Sequence, residues 1–135
     1  MFSENRPDVN LKTEICADSL VVPYRPSGFV GLSTEGTSVA FKDFRVETEG
    51  QTVYRTQWAD YDMAWHTVRG NWKAEDGVLT QQQTDGNALI WLKNRKFGDC
   101  TIHVKARKLK GREGFKVAFG GEDENHYFMA DMGSH

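Results

Sequence analysis

The chain has 135 residues, and its 17 Lys and Arg nearly balance its 19 Asp and Glu, which gives a net charge of -2 at pH 7. No block of one sign interrupts this balance, so the sequence gives no reason to expect nucleic acid or an anionic membrane as a partner. It lacks an apolar run of the ~20 residues that a membrane helix needs, and its first residues do not resemble a signal peptide. We therefore expect one soluble domain with a substantial core.

The distribution of turn residues indicates the fold class. Thirteen glycines, three prolines and short alternating runs favour an all-β fold, an antiparallel β-sandwich, and we find no convincing helix. Residues 1–18 show neither the helical nor the strand period of apolar residues, so we expect an extended connector there. The sandwich is expected over residues 19–135. The spacing of Cys16 and Cys100 is not typical of a disulfide framework, which favours two free thiols over a disulfide. The redox compartment of the protein stays open.

The first strands follow this connector. Alternation of apolar and polar residues predicts strands over residues 20–24, 28–33, 39–47 and 51–55. In the third of these, strict alternation breaks between Phe41 and Phe44. An extra residue near Lys42 and Asp43 predicts a β-bulge at that point.

The middle of the chain is less regular. Residues 56–70 are rich in aromatic rings and have no clear period, so we expect irregular structure. Another part of the fold must cover these rings. Asp76-Gly77 then predicts a hairpin between two short strands. Their inward members would be Trp72, Ala74, Val78 and Leu79. A further strand over residues 88–92 carries Trp91.

Residues 100–131 form the most regular part of the sequence. Three alternating runs, with Ile102 and Val104 in the first and Phe115 and Val117 in the second, predict three antiparallel strands joined by two tight turns. The third run is aromatic and includes Tyr127. Glycines between the first two runs suit the positive φ angles of a hairpin.

The sequence contains no motif for catalysis or metal binding. A glycosidase needs two carboxyl groups that face each other across the glycosidic bond. Glu113, Glu122, Asp123 and Glu124 lie in predicted turns, where charged residues are normally solvated, so we assign no catalytic residue. The histidines lack ligand spacing, and one acidic turn does not supply the oxygen atoms that calcium requires. We expect no metal and no cofactor.

A binding surface is the remaining chemical possibility. Aromatic rings stack on the apolar faces of sugars while neighbouring polar side chains bond the hydroxyls. The candidate carbohydrate-binding residues are Trp58, Trp91, Arg107 and Tyr127. The alternative for each ring is a place in the core, because large aromatic side chains are mostly buried. For Arg107 the alternative is that it only keeps the sheet soluble.

Several stretches resemble the concanavalin-like β-sandwich of glycoside hydrolase family 51 α-L-arabinofuranosidases: GFVGLSTEGTSVAFKDFRVET, GNWKAEDGVLTQQ, and CTIHVKARKLKGREGFKVAFG with HYFMADMGSH. This resemblance covers residues 28–135. The opening MFSENRPDVNLKTEI resembles the end of the catalytic barrel in the same enzymes. The resemblance implies a piece of a larger enzyme whose two catalytic glutamates lie upstream in the barrel, so no catalytic residue is carried over.

The resemblance also implies further strands beyond the present ones. An incomplete sandwich has open strand edges, which predicts a homodimer or poor solubility. The family commonly has Gly-Gly-Trp where Gly133-Ser134-His135 stands here, and we take these residues as natural sequence and not as a cloning remnant. For the parent enzyme we expect secretion or a periplasmic location. The sequence does not indicate a compartment for the chain itself.

These observations give one leading hypothesis and two competitors. The chain is expected to be a non-catalytic module of a retaining α-L-arabinofuranosidase that binds plant arabinan or arabinoxylan, or braces the rest of the parent enzyme. The alternative is a purely structural spacer that packs through residues 1–18, with an apolar patch near Leu11 and Ile15. A third hypothesis, a small glycosidase, needs two facing carboxylates. Exposure of Trp58, Trp91 and Tyr127 would favour sugar binding, and their burial would favour bracing.

Overall fold

The computed structural model describes residues 15–22, 28–111, 114–123 and 126–132. Residues 1–14, which are most of the connector predicted over residues 1–18, and the terminal Gly133-Ser134-His135 lie outside the described residues. Two antiparallel sheets pack face to face, which confirms the all-β sandwich. Within the described part of the chain, no helix has the length and apolar character needed to cross a membrane.

One sheet has six strands. Its members are β1 (Ile15–Val22), β3 (Thr37–Thr48), β4 (Gln51–Thr56), β6 (Trp72–Glu75), β7 (Val78–Gln81) and β9 (Cys100–Gly111). The order across the sheet is β1-β9-β3-β7-β6, and β4 pairs with β3. The long strand β3 accommodates both β7 and β4, because β7 pairs with its first half and β4 with its second half.

The other sheet has five strands. Its members are β2 (Phe29–Glu35), β5 (Trp65–Arg69), β8 (Asn87–Leu92), β10 (Phe115–Asp123) and β11 (His126–Met132), in the order β11-β10-β2-β8-β5. A short helix, α1 (Tyr61–Ala64), precedes β5. The inward residues of the two sheets form a single core cluster, in which Leu32, Phe41, Leu79 and Ile90 are fully buried.

Several local predictions are confirmed. The register between β3 and β9 shifts between Lys42 and Arg45, and Asp43 has a φ of 54°, which is the predicted bulge. The hairpin at Asp76-Gly77 joins β6 to β7, and both residues have positive φ. The free thiol of Cys100 is also confirmed. Burial, with a smaller contribution from the charge of Asp99, raises the pKa of this thiol to about 11.

Other predictions were wrong for identifiable reasons. The irregular segment contains α1 and β5, so the absence of a helix was wrong, although the helix has only four residues. In β7 the buried apolar residue is Leu79, whereas Val78 is only half-buried, because neighbouring residues of a strand point to opposite faces and Leu79 is the inward one. The strand β1 begins at Ile15, five residues before the first predicted strand, because pairing with the distant β9 holds these residues extended.

The largest difference concerns residues 100–131. Only β10 and β11 form the predicted hairpin. The strand β9 pairs with β1 and β3, whereas β10 pairs with β2 and β11, so the connection after β9 crosses from one sheet to the other. Gly111 has a φ of 109° at this crossing. A glycine with positive φ suits either kind of connection, which is why the local signal did not distinguish them.

Candidate functional site

The outward face of the five-stranded sheet carries the side chains that concern function. On β8, Ile90 and Leu92 point into the core and are buried, while Trp91 between them points outward and is partly exposed. The register places Trp91 opposite Gly31 of β2 and opposite His66 of β5. A tryptophan therefore stands near the middle of this outer face.

Trp91 is part of an aromatic group. The ring of Phe29 stacks on it with centroids 5.2 Å apart and an angle of 18° between the planes. On the opposite side the ring of His66 lies 5.6 Å from it. Phe29 and Trp91 are partly exposed and His66 is exposed, so the group presents ring surface to solvent. Aromatic contacts at these distances hold the rings in a fixed arrangement.

Tyr127 extends this group toward the other edge of the sheet. Gly121 of β10 pairs with Phe29, and a Cβ built on Gly121 would lie 3.5 Å from the Cβ of Phe29 and 3.3 Å from the Cβ of Tyr127. Tyr127 and Phe29 therefore flank a residue without a side chain, on the same face. We call Tyr127, Phe29, Trp91 and His66 the aromatic row, because they follow one another across the sheet from β11 to β5.

A surface depression of about 600 Å³ lies at the β5 end of the aromatic row. Phe29, Trp91 and His66 form its aromatic side. The turn after β8 forms its polar side with Lys93, Asn94, Arg95 and Lys96. This volume falls in the range of small-molecule sites. Among the described residues, no Asp or Glu lines the depression.

Backbone hydrogen bonds hold the turn after β8 at both of its ends. The amide of Lys93 donates to the carbonyl of Ala64 at 2.7 Å. Asn94 has a φ of 62°, a conformation that Asn tolerates better than most residues. Phe97 then forms two backbone hydrogen bonds with Gly28, of 2.8 and 3.1 Å. The backbone between these ends therefore has a defined position beside the aromatic row.

The guanidinium of Arg95 makes its contacts with other groups of the protein. Its guanidinium donates to the carbonyl of Val53 at 2.9 Å and lies 5.3 Å from the centroid of the Tyr54 ring. It also lies 5.8 Å from the centroid of Phe97. These are cation–π distances, so Arg95 links the turn to β4.

Two of the four predicted residues, Trp91 and Tyr127, lie in the aromatic row. Arg107 is exposed but belongs to β9, in the opposite sheet, where it pairs with Ala40. Trp58 is 1% exposed and packs against Phe44 and Trp65, so it offers no ring surface to a ligand. The structure therefore does not bring Trp58 or Arg107 to the surface that carries the other two.

Trp58 belongs to a buried cluster of aromatic rings beside α1 and its flanking residues. The hydroxyl of Tyr54 donates to the carboxylate of Asp60 at 2.6 Å and accepts from Trp65 Nε1 at 3.1 Å. Thr56 also donates to Asp60. Burial, with the hydrogen bond to Asp60, raises the pKa of Tyr54 to about 12, so its hydroxyl remains a donor at neutral pH. This cluster stabilises the sandwich and takes no part in the exposed row.

Sequence reasoning missed Phe29, His66 and the lysines of the turn. Phe29 alternates with the core residue Val30, and this alternation was a signal that placed it on the outward face. His66 lies in the segment predicted to be irregular, where no face can be assigned from the pattern. The register that joins these residues to Trp91 depends on strand pairing over long sequence separations.

Comparison with known proteins gives one informative relative. An extracellular exo-α-L-arabinofuranosidase of Streptomyces chartreusis is 34% identical over an alignment of 110 residues that covers 79% of this chain. The chain spans about 13% of the length of that enzyme. No family model matches the sequence. No solved structure matches it either. The chain is thus similar, over most of its length, to a small part of an arabinofuranosidase.

Proposed function

We propose that the chain is a non-catalytic module of an arabinofuranosidase-type glycoside hydrolase, and that it binds plant polysaccharide through the aromatic row. The observation that carries this proposal is the position of Tyr127, Phe29, Trp91 and His66, which follow one another across one sheet with exposed ring surface. Stacking of rings on the apolar faces of sugars, with hydrogen bonds at the rim, is the usual chemistry of such sites.

The similarity to an arabinofuranosidase supports a carbohydrate as ligand. The enzyme that matches is named for removing arabinofuranosyl groups, and the present chain corresponds to a small part of it. We propose arabinan or arabinoxylan as the polymer, a retaining α-L-arabinofuranosidase as the parent enzyme, and the remainder of that enzyme as the physical partner. In this arrangement the module holds the polymer while the catalytic part of the parent enzyme cleaves the side groups.

Isothermal titration with arabinan and arabinoxylan oligosaccharides tests this proposal. We expect measurable binding by the unaltered chain and a loss of about tenfold in affinity for Trp91→Ala, because an aromatic contact contributes about 0.5–1.5 kcal/mol beyond the area that it buries. Leu109→Ala is the matched control. Leu109 is 41% exposed on the opposite sheet, so its removal should leave binding unchanged.

A folded sample that binds neither oligosaccharide would contradict sugar binding and favour the structural spacer. Part of the patch expected for the spacer, Leu11, lies outside the described residues, as does the side chain of Ile15. Light scattering on the same sample also tests the homodimer. The edge strand β11 exposes Phe128 by 50% and Met129 by 42%, which supports self-association through that edge.

A further inference from the structure

We infer that the preferred ligand of the depression is an acidic sugar, a uronate within an oligosaccharide, and that Lys93 and Lys96 hold its carboxylate beside Trp91. This inference rests on the proposed function and names the chemical class of its ligand. It follows from the charge of the turn after β8, from a lining that contains no Asp or Glu among the described residues, and from the position of the lysines relative to the aromatic row.

The positive charge of the turn is concentrated in a few residues. Lys93, Arg95 and Lys96 occur within four residues and all line the depression. Within residues 28–111, 114–123 and 126–132, neither Lys93 nor Lys96 forms a salt bridge. By comparison, Lys73 pairs with Glu75 and Lys105 pairs with Asp43. The depression therefore has positive charge that a bound anion can compensate.

Arg95 differs from the two lysines in its role. Its guanidinium already bonds the Val53 carbonyl and lies over two aromatic rings, so its position is set by the protein. It adds positive potential to the depression without needing to contact the ligand. The ammonium groups of Lys93 and Lys96 supply the donors that remain for a carboxylate.

The position of Lys96 connects the charge to the stacking surface. Its Nζ lies 5.4 Å from the centroid of Phe29, and the Phe29 ring stacks on Trp91 at 5.2 Å. An anionic group bound to Lys96 therefore lies at the edge of the aromatic row. A uronate carries its carboxylate directly on the sugar ring, so the same residue can place its carboxylate at Lys96 and its ring against the parts of Phe29 and Trp91 that remain exposed. A neutral sugar makes only the contact with the aromatic rings.

Single-stranded nucleic acid also combines stacking with negative charge. The net charge of the whole chain is -2, and the positive charge of the depression is confined to one short turn. A polynucleotide site normally follows the backbone with a longer basic groove. A local carboxylate on a sugar matches one short positive segment better than a continuous chain of phosphates does.

A pair of matched oligosaccharides gives the direct test. The first is a linear xylo-oligosaccharide, and the second is the same oligosaccharide with one glucuronosyl side group. We expect the acidic form to bind about fivefold tighter at low salt, the upper range for an exposed ion pair. This preference should nearly disappear at about 1 M NaCl, where the screening length falls to about 3 Å.

Variants separate the charge from the stacking. The double variant Lys93→Gln and Lys96→Gln should lose the preference for the acidic form while its affinity for the neutral form stays within about twofold, since exposed substitutions of this kind seldom disturb the fold. Trp91→Ala should weaken both ligands. Lys42→Gln is the matched control, because Lys42 is an exposed lysine on the six-stranded sheet.

The outcomes distinguish this inference from the proposed function. Equal affinity for both oligosaccharides, or a preference that the double variant keeps, would overturn the acidic ligand and leave sugar binding intact. No binding of either form, or of the arabinan and arabinoxylan oligosaccharides, would overturn both. Tighter binding of an oligothymidylate of similar charge than of the acidic oligosaccharide would also overturn the inference, since it would identify a polynucleotide site.

Discussion

His126 shows how one exposed pair responds to pH. It begins β11 and pairs in register with Asp123 at the end of β10, with Nδ1 2.8 Å from Asp123 Oδ1. The hydrogen bond to this carboxylate, together with its charge, raises the pKa of the imidazole above its ordinary value of 6.5. The folded-state pKa is raised, so the pair stabilises the fold below pH 6.5 and this contribution is lost as pH rises through the folded pKa.

An NMR titration of His126 tests this pair. We expect a pKa above 6.5 in the unaltered chain and a return toward 6.5 in Asp123→Asn. Glu122→Gln should lower the pKa by less, because the charge of Glu122 is the smallest of the contributions that raise it. A pKa at or below 6.5 in the unaltered chain would show that the pair does not form in solution.

At the same scale, the type of each residue was enough to select candidate binding residues, but it did not give their positions in the fold. Trp91 and Tyr127 are candidates because their rings are large, and both lie in the aromatic row. Trp58 is a candidate by the same rule but is buried, because residue type does not state which side of a sheet a ring occupies. Arg107 was correctly placed on an outward face, but the sequence did not indicate which of the two sheets carries that face.

The element that fixes the aromatic row is β2, which lies between β8 and β10. Gly31 stands on its outward face, opposite Trp91 on one side and Ala118 on the other. A Cβ built on Gly31 would lie 2.2 Å from the backbone oxygen of Ile90. Backbone cannot rotate out of the way as a side chain can, so β8 approaches β2 this closely only because residue 31 has no side chain.

Gly31→Ala should therefore separate β2 from β8. We expect a loss of about 2–4 kcal/mol in the free energy of unfolding, in the range of substitutions that force a steric clash. Urea denaturation followed by fluorescence measures it. Glu35→Ala, at the exposed end of the same strand, should change stability by less than about 0.5 kcal/mol. A Gly31→Ala variant as stable as the unaltered chain would mean that the two strands lie farther apart than this contact requires.

Elements were predictable where their signal is local. The bulge at Lys42 and Asp43 and the hairpin at Asp76-Gly77 follow from alternation and turn chemistry within a few residues. The helix α1 has only one turn, too short for a helical period to show in the sequence. The first part of β1, residues 15–19, also lacks a local signal, since its extended conformation depends on β9.

At the scale of the whole molecule, a buried glutamine joins the two sheets. Gln81 ends β7 in the six-stranded sheet and is fully buried, yet its Nε2 donates to Thr34 Oγ1 of β2 at 2.9 Å. The same nitrogen donates to the carbonyl of Thr37, and Oε1 accepts from the amide of Gln83 at 2.8 Å. Its polar atoms are thus bonded inside the sandwich, as buried polar groups require.

Gln81→Leu removes these bonds at nearly constant volume and leaves the amide of Gln83 without its acceptor. We expect the free energy of unfolding to fall by about 2–3 kcal/mol, the cost of leaving such groups unsatisfied. Thermal and urea denaturation measure this loss. Gln82→Leu is the control at the next, exposed position and should be nearly neutral. If both variants were equally stable, water would have to satisfy the groups that Gln81 bonds.

The assignment of strands to sheets was the part of the fold that local reasoning could not reach. The pattern of residues 100–131 predicts one antiparallel unit, and each strand in it exists. The division that puts β9 in one sheet and β10 in the other depends on partners far away in the chain, β1 and β3 for the first and β2 for the second. The composition of the depression depends on the same kind of distant pairing.

The pairing of β1 with β9 sets the order in which the molecule can assemble. Ile15 pairs with Arg107, and β9 is the one neighbour of β1 among the described strands. At synthesis rates of about 5–20 residues per second, the roughly 90 residues between these partners take about 5–20 s to appear. During this time the backbone groups of β1 are open to pairing with another chain. Closure of the sandwich must therefore follow translation of β9, and a chaperone that covers β1 during synthesis should improve the yield of folded protein.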